Sequence, residues 1–177
     1  ETDQVGRYLM EHPHVFNCAK AIGPAGFIAQ PAPSDFGDFN PVIEPNLDTH
    51  DALGGLDVSL SIDNARINMD DPVERFLAER SGPDAQAVSC TGRAEMRADP
   101  ENRVSLVDAL DPSGMRRLRA RCVIDGDALG TIEKSLDALS ADFVATGPAR
   151  LRVDNQAIYR EATGGGHTMG TTRMGVD

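Results

Sequence analysis

Four side chains in this sequence have an ordinary pKa suited to proton transfer near neutrality, namely His12, His14, His50 and His167. An imidazole at that pH can take a proton from a hydroxyl and return it. His167 stands in the least ordinary surroundings, Gly164-Gly165-Gly166-His167-Thr168-Met169-Gly170-Thr171-Thr172-Arg173-Met174-Gly175. Each glycine gives up backbone freedom on folding and returns no side-chain packing. Such a run belongs where the backbone bends sharply or comes close to something flat or charged. A glycine-rich end is also a frequent disordered tail, in which case residues 163–177 would be flexible and protease-sensitive.

The other candidates are weaker. His12 and His14 form a His-x-His pair, but a metal wants three or four convergent, well-oriented ligands, and no carboxylate cluster nearby completes a set. No metal site is assigned. Asp70-Asp71 looks like a catalytic carboxylate pair, yet it directly precedes Pro72, where stabilising a helix N-terminus accounts for it with fewer assumptions. Cys18, Cys90 and Cys122 have neither metal nor redox spacing. They read as free thiols, with Cys90 and Cys122 buried on the apolar side of strands.

The elements that must position these groups follow from hydrophobic period. Residues 14–22 read as a first strand. Leu56, Val58, Leu60 and Ile62 alternate with polar neighbours, as do Val88, Cys90, Gly92, Ala94 and Met96, and a period of two marks a half-buried strand. Val104 and Leu106 begin another strand, Asp111-Pro112-Ser113-Gly114 is a turn, and Leu118, Ala120, Cys122 and Ile124 alternate again. The segments around 88–96, 104–106 and 117–124 are expected to form one antiparallel meander with a wet face. Helices are expected over 73–80, opened by Asp71-Pro72, and over 127–146. There Leu129, Ile132, Leu136, Leu139 and Phe143 make an apolar stripe, Asp125 or Asp127 caps the start, and Gly147-Pro148 ends it. A last strand at 149–153 and a turn or short helix at 154–161 follow. Gly23 to Gly55 reads as one long loop, packed down by Phe27, Phe36 and Phe39. The expected fold is α+β, an antiparallel sheet backed on one face by helices, in a single domain spanning 1–177.

Composition narrows the partners. A formal net charge of −11 argues against nucleic acid and anionic membranes by Coulomb repulsion. No apolar run approaches the length of a membrane-spanning helix. The arginines at 116, 117, 119 and 121 read as a solvated strand face.

The terminal stretch matches His-x-x-Gly-Thr-x-x-Met at His167, Gly170, Thr171 and Met174, with Arg173 and Gly175 alongside. This resembles the histidine signature of the glucose–methanol–choline family of FAD-dependent alcohol oxidoreductases. Val5-Gly6-Arg7-Tyr8-Leu9-Met10-Glu11-His12-Pro13 is similar to the family's Val-Gly-Arg-x-Leu-x-x-His-Pro stretch, where the chain leaves the FAD-binding region. A third, looser match is Asp99-Pro100-Glu101-Asn102-Arg103-Val104-Ser105-Leu106, followed by Asp111-Pro112-Ser113-Gly114. The matches keep family order and span nearly the whole chain.

The resemblance implies a substrate-binding domain for an alcohol, sugar or polyol. His167 would serve the substrate hydroxyl, and Gly170 and Thr171 would lie close to FAD. Because the entry and exit matches sit at opposite ends, it also implies an FAD-binding domain of the same protein flanking this one on both sides, and the Gly-x-Gly-x-x-Gly turn that seats a dinucleotide is absent from the sequence. The family's second catalytic histidine or asparagine would lie beyond Asp177. The isolated chain is accordingly expected to be inactive and not to hold FAD tightly. The competing expectation is a stand-alone ligand-binding or interaction module without flavin.

Overall fold

The computed structural model describes residues 3–28, 32–34, 37–54, 56–147 and 149–172. In chain order its elements are β1 (Pro13–Gly23), β2 (Ala32–Ser34), β3 (Gly37–Phe39), β4 (Val42–Ile43), α1 (Leu47–Leu53), β5 (Val58–Ala65) and α2 (Pro72–Ser81). They continue with β6 (Gln86–Ala94), β7 (Arg103–Leu110), β8 (Arg116–Arg121), α3 (Gly126–Thr146), β9 (Arg150–Val153), α4 (Asn155–Arg160) and β10 (Thr163–Gly164). The fold is α+β, built on an antiparallel six-stranded sheet of order β10-β1-β6-β5-β4, with β9 also paired to β1.

The centre of the sheet follows from its sequence. Val58, Leu60 and Ile62 of β5 and Val88, Cys90 and Ala94 of β6 enter one core with Ala128, Leu129, Ile132 and Leu136 of α3 and Ile158 of α4. Removing these side chains from water is the main force holding helix to sheet. The helix can approach closely because β6 carries Gly92 at the crossing. A Cβ there would lie 2.7 Å from Ile132 Cγ2. Asp125 caps α3 by accepting from Ala128 N at 2.7 Å, and Gly147 closes it by donating to Phe143 O at 3.2 Å. Asp71 caps α2 by accepting from Val73 N and Glu74 N, with Pro72 in the first turn, where its missing N–H costs nothing. Asp70 takes no part in that cap; its amide donates to Asn68 Oδ1.

β1 does more than one strand's work. Its register shifts between Val15 and Ala19, around Asn17 with φ of +51°. The irregularity bends the strand, so one edge pairs with β10 before it and with β9 after it.

Three expectations need correction. The meander does not form, because β6 pairs with β1 and β5, whereas β7 and β8 make a separate two-stranded sheet. Alternation marks a face but not the strand it will pair with. Leu106, Leu110 and Leu118 of that hairpin stay exposed, Leu118 at 71%, and Cys122, just past the end of β8, is exposed. Finally, residues 23–55 are more than a loop. They contain the β2–β3 hairpin, β4 on the sheet edge, and α1, capped by Asn46 accepting from Thr49 N at 2.9 Å. Phe27 packs edge-on against Phe143, as expected of an anchoring residue, while Phe36 and Pro148 lie outside the described residues.

Candidate functional site

The three sequence stretches singled out by resemblance meet in space. The opening segment, residues 3–12, runs between the other two. On one side Leu9 N donates to Asn102 O at 2.8 Å and Val104 N donates to Gly6 O at 2.8 Å. On the other, Gly6 N donates to Thr171 O at 2.8 Å, while Met10 and Met169 exchange N–H···O bonds at 2.9 and 3.0 Å. Pro13 and His14 continue this pairing with Gly164 and Thr163. The junction is locked by side chains. Buried Asn102 donates to Val123 O at 3.0 Å and accepts from Val123 N at 2.8 Å. Asp3 bridges Arg7 at 2.6 Å and Arg103 at 2.9 Å. Hydrogen bonds from Arg103 and Arg7 hold the Asp3 carboxyl down at about 2. Residues 163–172 are therefore held by pairing; Arg173, Met174 and Gly175 lie outside the described residues.

Two glycines of the terminal run have local reasons. Gly170 has φ of +97°, and a Cβ on it would collide with the Tyr8 carbonyl oxygen. Gly165 lies over the histidines, where a Cβ would come within 2.8 Å of His12 Cε1 and 2.9 Å of His14 Nε2. The sequence puts glycine here because backbone passes where a side chain would stand.

Three of the four histidines come together. His12 Nε2 is 2.6 Å from His167 Nδ1, and His12 Nδ1 is 2.9 Å from His14 Nε2. Neighbouring ring centroids are 4.6 and 4.8 Å apart. His12 therefore spends both ring nitrogens on two different imidazoles, and the three do not converge on a common point. Among the described residues no group of His, Cys, Asp or Glu is arranged to hold a metal ion. His167 is exposed, and its Nε2 makes no hydrogen bond among the described residues. Its backbone N–H donates to Glu11 Oε2 at 3.3 Å. Burial pushes the His14 imidazole below its ordinary value, and the Arg93 guanidinium adds to the shift.

His12 and His167 face a cavity of about 660 Å³. Its polar wall carries Glu11, Glu44, Asp57, Arg93 and Glu95, and its apolar lining includes Met10, Met96 and Met169. His50, from α1, stands at the same cavity between Asp51 and Asp57, 3.3 Å from each. Arg93 is steadied by donating to Ser61 Oγ. Sequence reasoning missed Glu11 and Arg93 as site residues. The available signal was Arg93 itself, a long cation on the polar side of a strand whose other polar positions are mostly small.

The chain matches no protein-family model and no curated protein sequence. What the site can do rests on its own geometry, an accessible imidazole with one nitrogen committed and the other open beside a cavity rich in hydrogen-bonding groups. That arrangement suits proton exchange with a bound hydroxyl.

Proposed function

We propose that this chain is the substrate-binding domain of an oxidoreductase acting on CH–OH groups. More particularly, it would be an FAD-dependent enzyme of the glucose–methanol–choline type, working on a sugar, polyol or other alcohol. The observation that carries this reading is the assembly of three separate stretches, those matching the family pattern, with the opening segment paired between the other two and His12 and His167 brought to one cavity. The cavity supports a substrate with several hydroxyls, since carboxylates and a guanidinium on its wall can bind more than one of them.

The residues fit a flavin at its reacting edge only. His167 is exposed at the cavity, but no glycine-rich dinucleotide turn occurs in the sequence. The reading accordingly assigns FAD to a partner domain of the same protein, with Gly170 and Thr171 on the side facing it. When bound, the flavin supplies a hydride acceptor. In this chain His167 Nε2 accepts the hydroxyl proton as the O–H bond breaks, and the cavity wall orients the carbon whose hydride leaves. Glu11 holds the backbone N–H of His167 and so fixes the loop that carries the ring.

The test is a visible absorbance spectrum of the intact protein as purified, with alcohols and sugars added in turn. Flavin bands that bleach with a substrate are the expected result, and His167→Ala should keep the bands while turnover falls by about 10²–10⁴-fold. A colourless protein that takes up no added FAD would leave the second reading, a polar-ligand-binding module. The carboxylates and the guanidinium on the cavity wall suit a polar ligand under that reading too.

A further inference from the structure

The three-histidine contact has a property that no single member has. A neutral imidazole carries one N–H and one bare nitrogen. His12 lies between His167 and His14 and uses both of its nitrogens, so the two hydrogen bonds must point the same way along the row. Either every ring donates toward His14, leaving His167 Nε2 bare, or every ring donates toward His167, leaving an N–H at His167 Nε2. The tautomers of the three rings are locked together. Only the first set makes His167 a base.

We propose that His14, His12 and His167 act as one hydrogen-bonded imidazole row that shares a single added proton, with His12 and His14 as positioning residues that keep His167 Nε2 bare. Its catalytic meaning rests on the oxidoreductase reading above; its structural content does not. When His167 Nε2 takes a proton, its Nδ1–H donates to His12 Nε2, and the His12 Nδ1–H donates to His14 Nε2. The polarity needed before proton uptake is thus the polarity that stabilises the charge afterwards. No ring has to turn.

The surroundings favour one proton and not three. The rings stand within 6.5 Å of one another, so a second charge meets strong repulsion. His14, half-buried and near Arg93 of β6, is the poorest place for a charge. Glu11 lies at the His167 end, and Glu44, Asp57 and Glu95 together with His50 stand across the cavity. The charge therefore belongs at the His167–His12 end, with His14 as a neutral terminal acceptor. Gly165 gives an independent handle, because a methyl group there would strike the His12–His14 junction without altering any histidine.

The experiment is nitrogen-15 spectroscopy of the imidazoles in the intact, histidine-labelled protein, titrated from about pH 8 to about pH 5, the range in which an ordinary histidine charges. The row should take up one proton over that range, with His167 protonated at Nδ1 and bare at Nε2 at the alkaline end. His12→Ala and Gly165→Ala should each release His167 to the Nε2–H form usual for free imidazole. His14→Leu should do so incompletely, and His14→Gln, whose side-chain carbonyl reaches the position of Nε2, should restore the wild-type pattern. Three rings titrating independently, or a His167 tautomer indifferent to His12→Ala, would overturn the proposal. These spectra need no flavin, so a colourless protein with the shared proton refutes the enzyme and leaves the row standing. In a flavin-bearing protein, His12→Ala should lower kcat by about 10²-fold with little change in KM, as loss of a base's activation requires.

Discussion

At the residue scale, the same amino acid takes opposite roles according to its surroundings, and the cysteines make the point measurable. Cys90 lies in the core, where burial pushes its thiol up to about 12. Cys18 is likewise buried and raised, its S–H donating to Cys90 O at 3.3 Å. Cys122 is exposed. Only the thiolate is reactive, so a thiol reagent at mild alkaline pH should label one cysteine in the folded protein and three after denaturation. Mass mapping should find the fast label on Cys122. Fast labelling of Cys90 would mean that the sheet–helix core opens readily. The apolar alternation around 118–124 points to a buried Cys122, and the structure exposes it. Alternation reports the spacing of apolar groups, whereas burial needs a partner surface, which β8 lacks.

At the scale of elements, α3 crosses β6 at close range over Gly92. Gly92→Ala should cost about 1–3 kcal/mol, because the new methyl would overlap Ile132 Cγ2 in a packed interior. Ile132→Ala alone should cost about 2–5 kcal/mol by leaving a cavity. The double variant should cost less than the sum, since the added methyl occupies some of the vacated space. Urea denaturation of the four proteins checks this, and strict additivity would mean that the helix already stands off at Gly92. This element was legible in the sequence. The 3.6-residue stripe, Asp125 and Gly147 mark α3 locally, and β5 and β6 declare themselves by their period of two. The detachment of β7–β8 was not legible, because a strand's choice of neighbour is a long-range outcome. The histidine row was equally hidden. Two of its members lie 155 positions apart in the chain, and nothing in the spacing of His12 and His14 points to His167. Helix α1 was missed because its seven residues bury none of their side chains and so present no apolar period.

At the scale of the whole molecule, the opening segment is clamped by Asp3 between Arg7 and Arg103, and that clamp depends on pH. The folded Asp3 carboxyl titrates at about 2, below its ordinary 3.8. A depressed carboxyl contributes its stabilisation fully above the ordinary value and loses it as pH falls through the folded one. Protection of the Gly6 and Arg7 amides, taken relative to their intrinsic exchange rates, should therefore fall between roughly pH 4 and pH 2. Asp3→Asn should be poorly protected throughout, and the difference between the two proteins isolates Asp3 from every other group that titrates in that range. Equal profiles would remove Asp3 from the clamp.

The pairing of the opening segment with residues 163–172 also sets how the molecule bears load. Gly6 and Thr171 sit side by side, followed inward by Met10 with Met169 and then by Pro13 and His14 with Gly164 and Thr163. A pull on both ends acts along these hydrogen bonds and across the strands, so the bonds open in succession like the teeth of a zip. Such a geometry yields at low force. The contact between His12 and His167 lies midway along that seam, so it would be broken before any strand of the central sheet is disturbed. Tension on this seam would separate the histidines well short of unfolding the sheet.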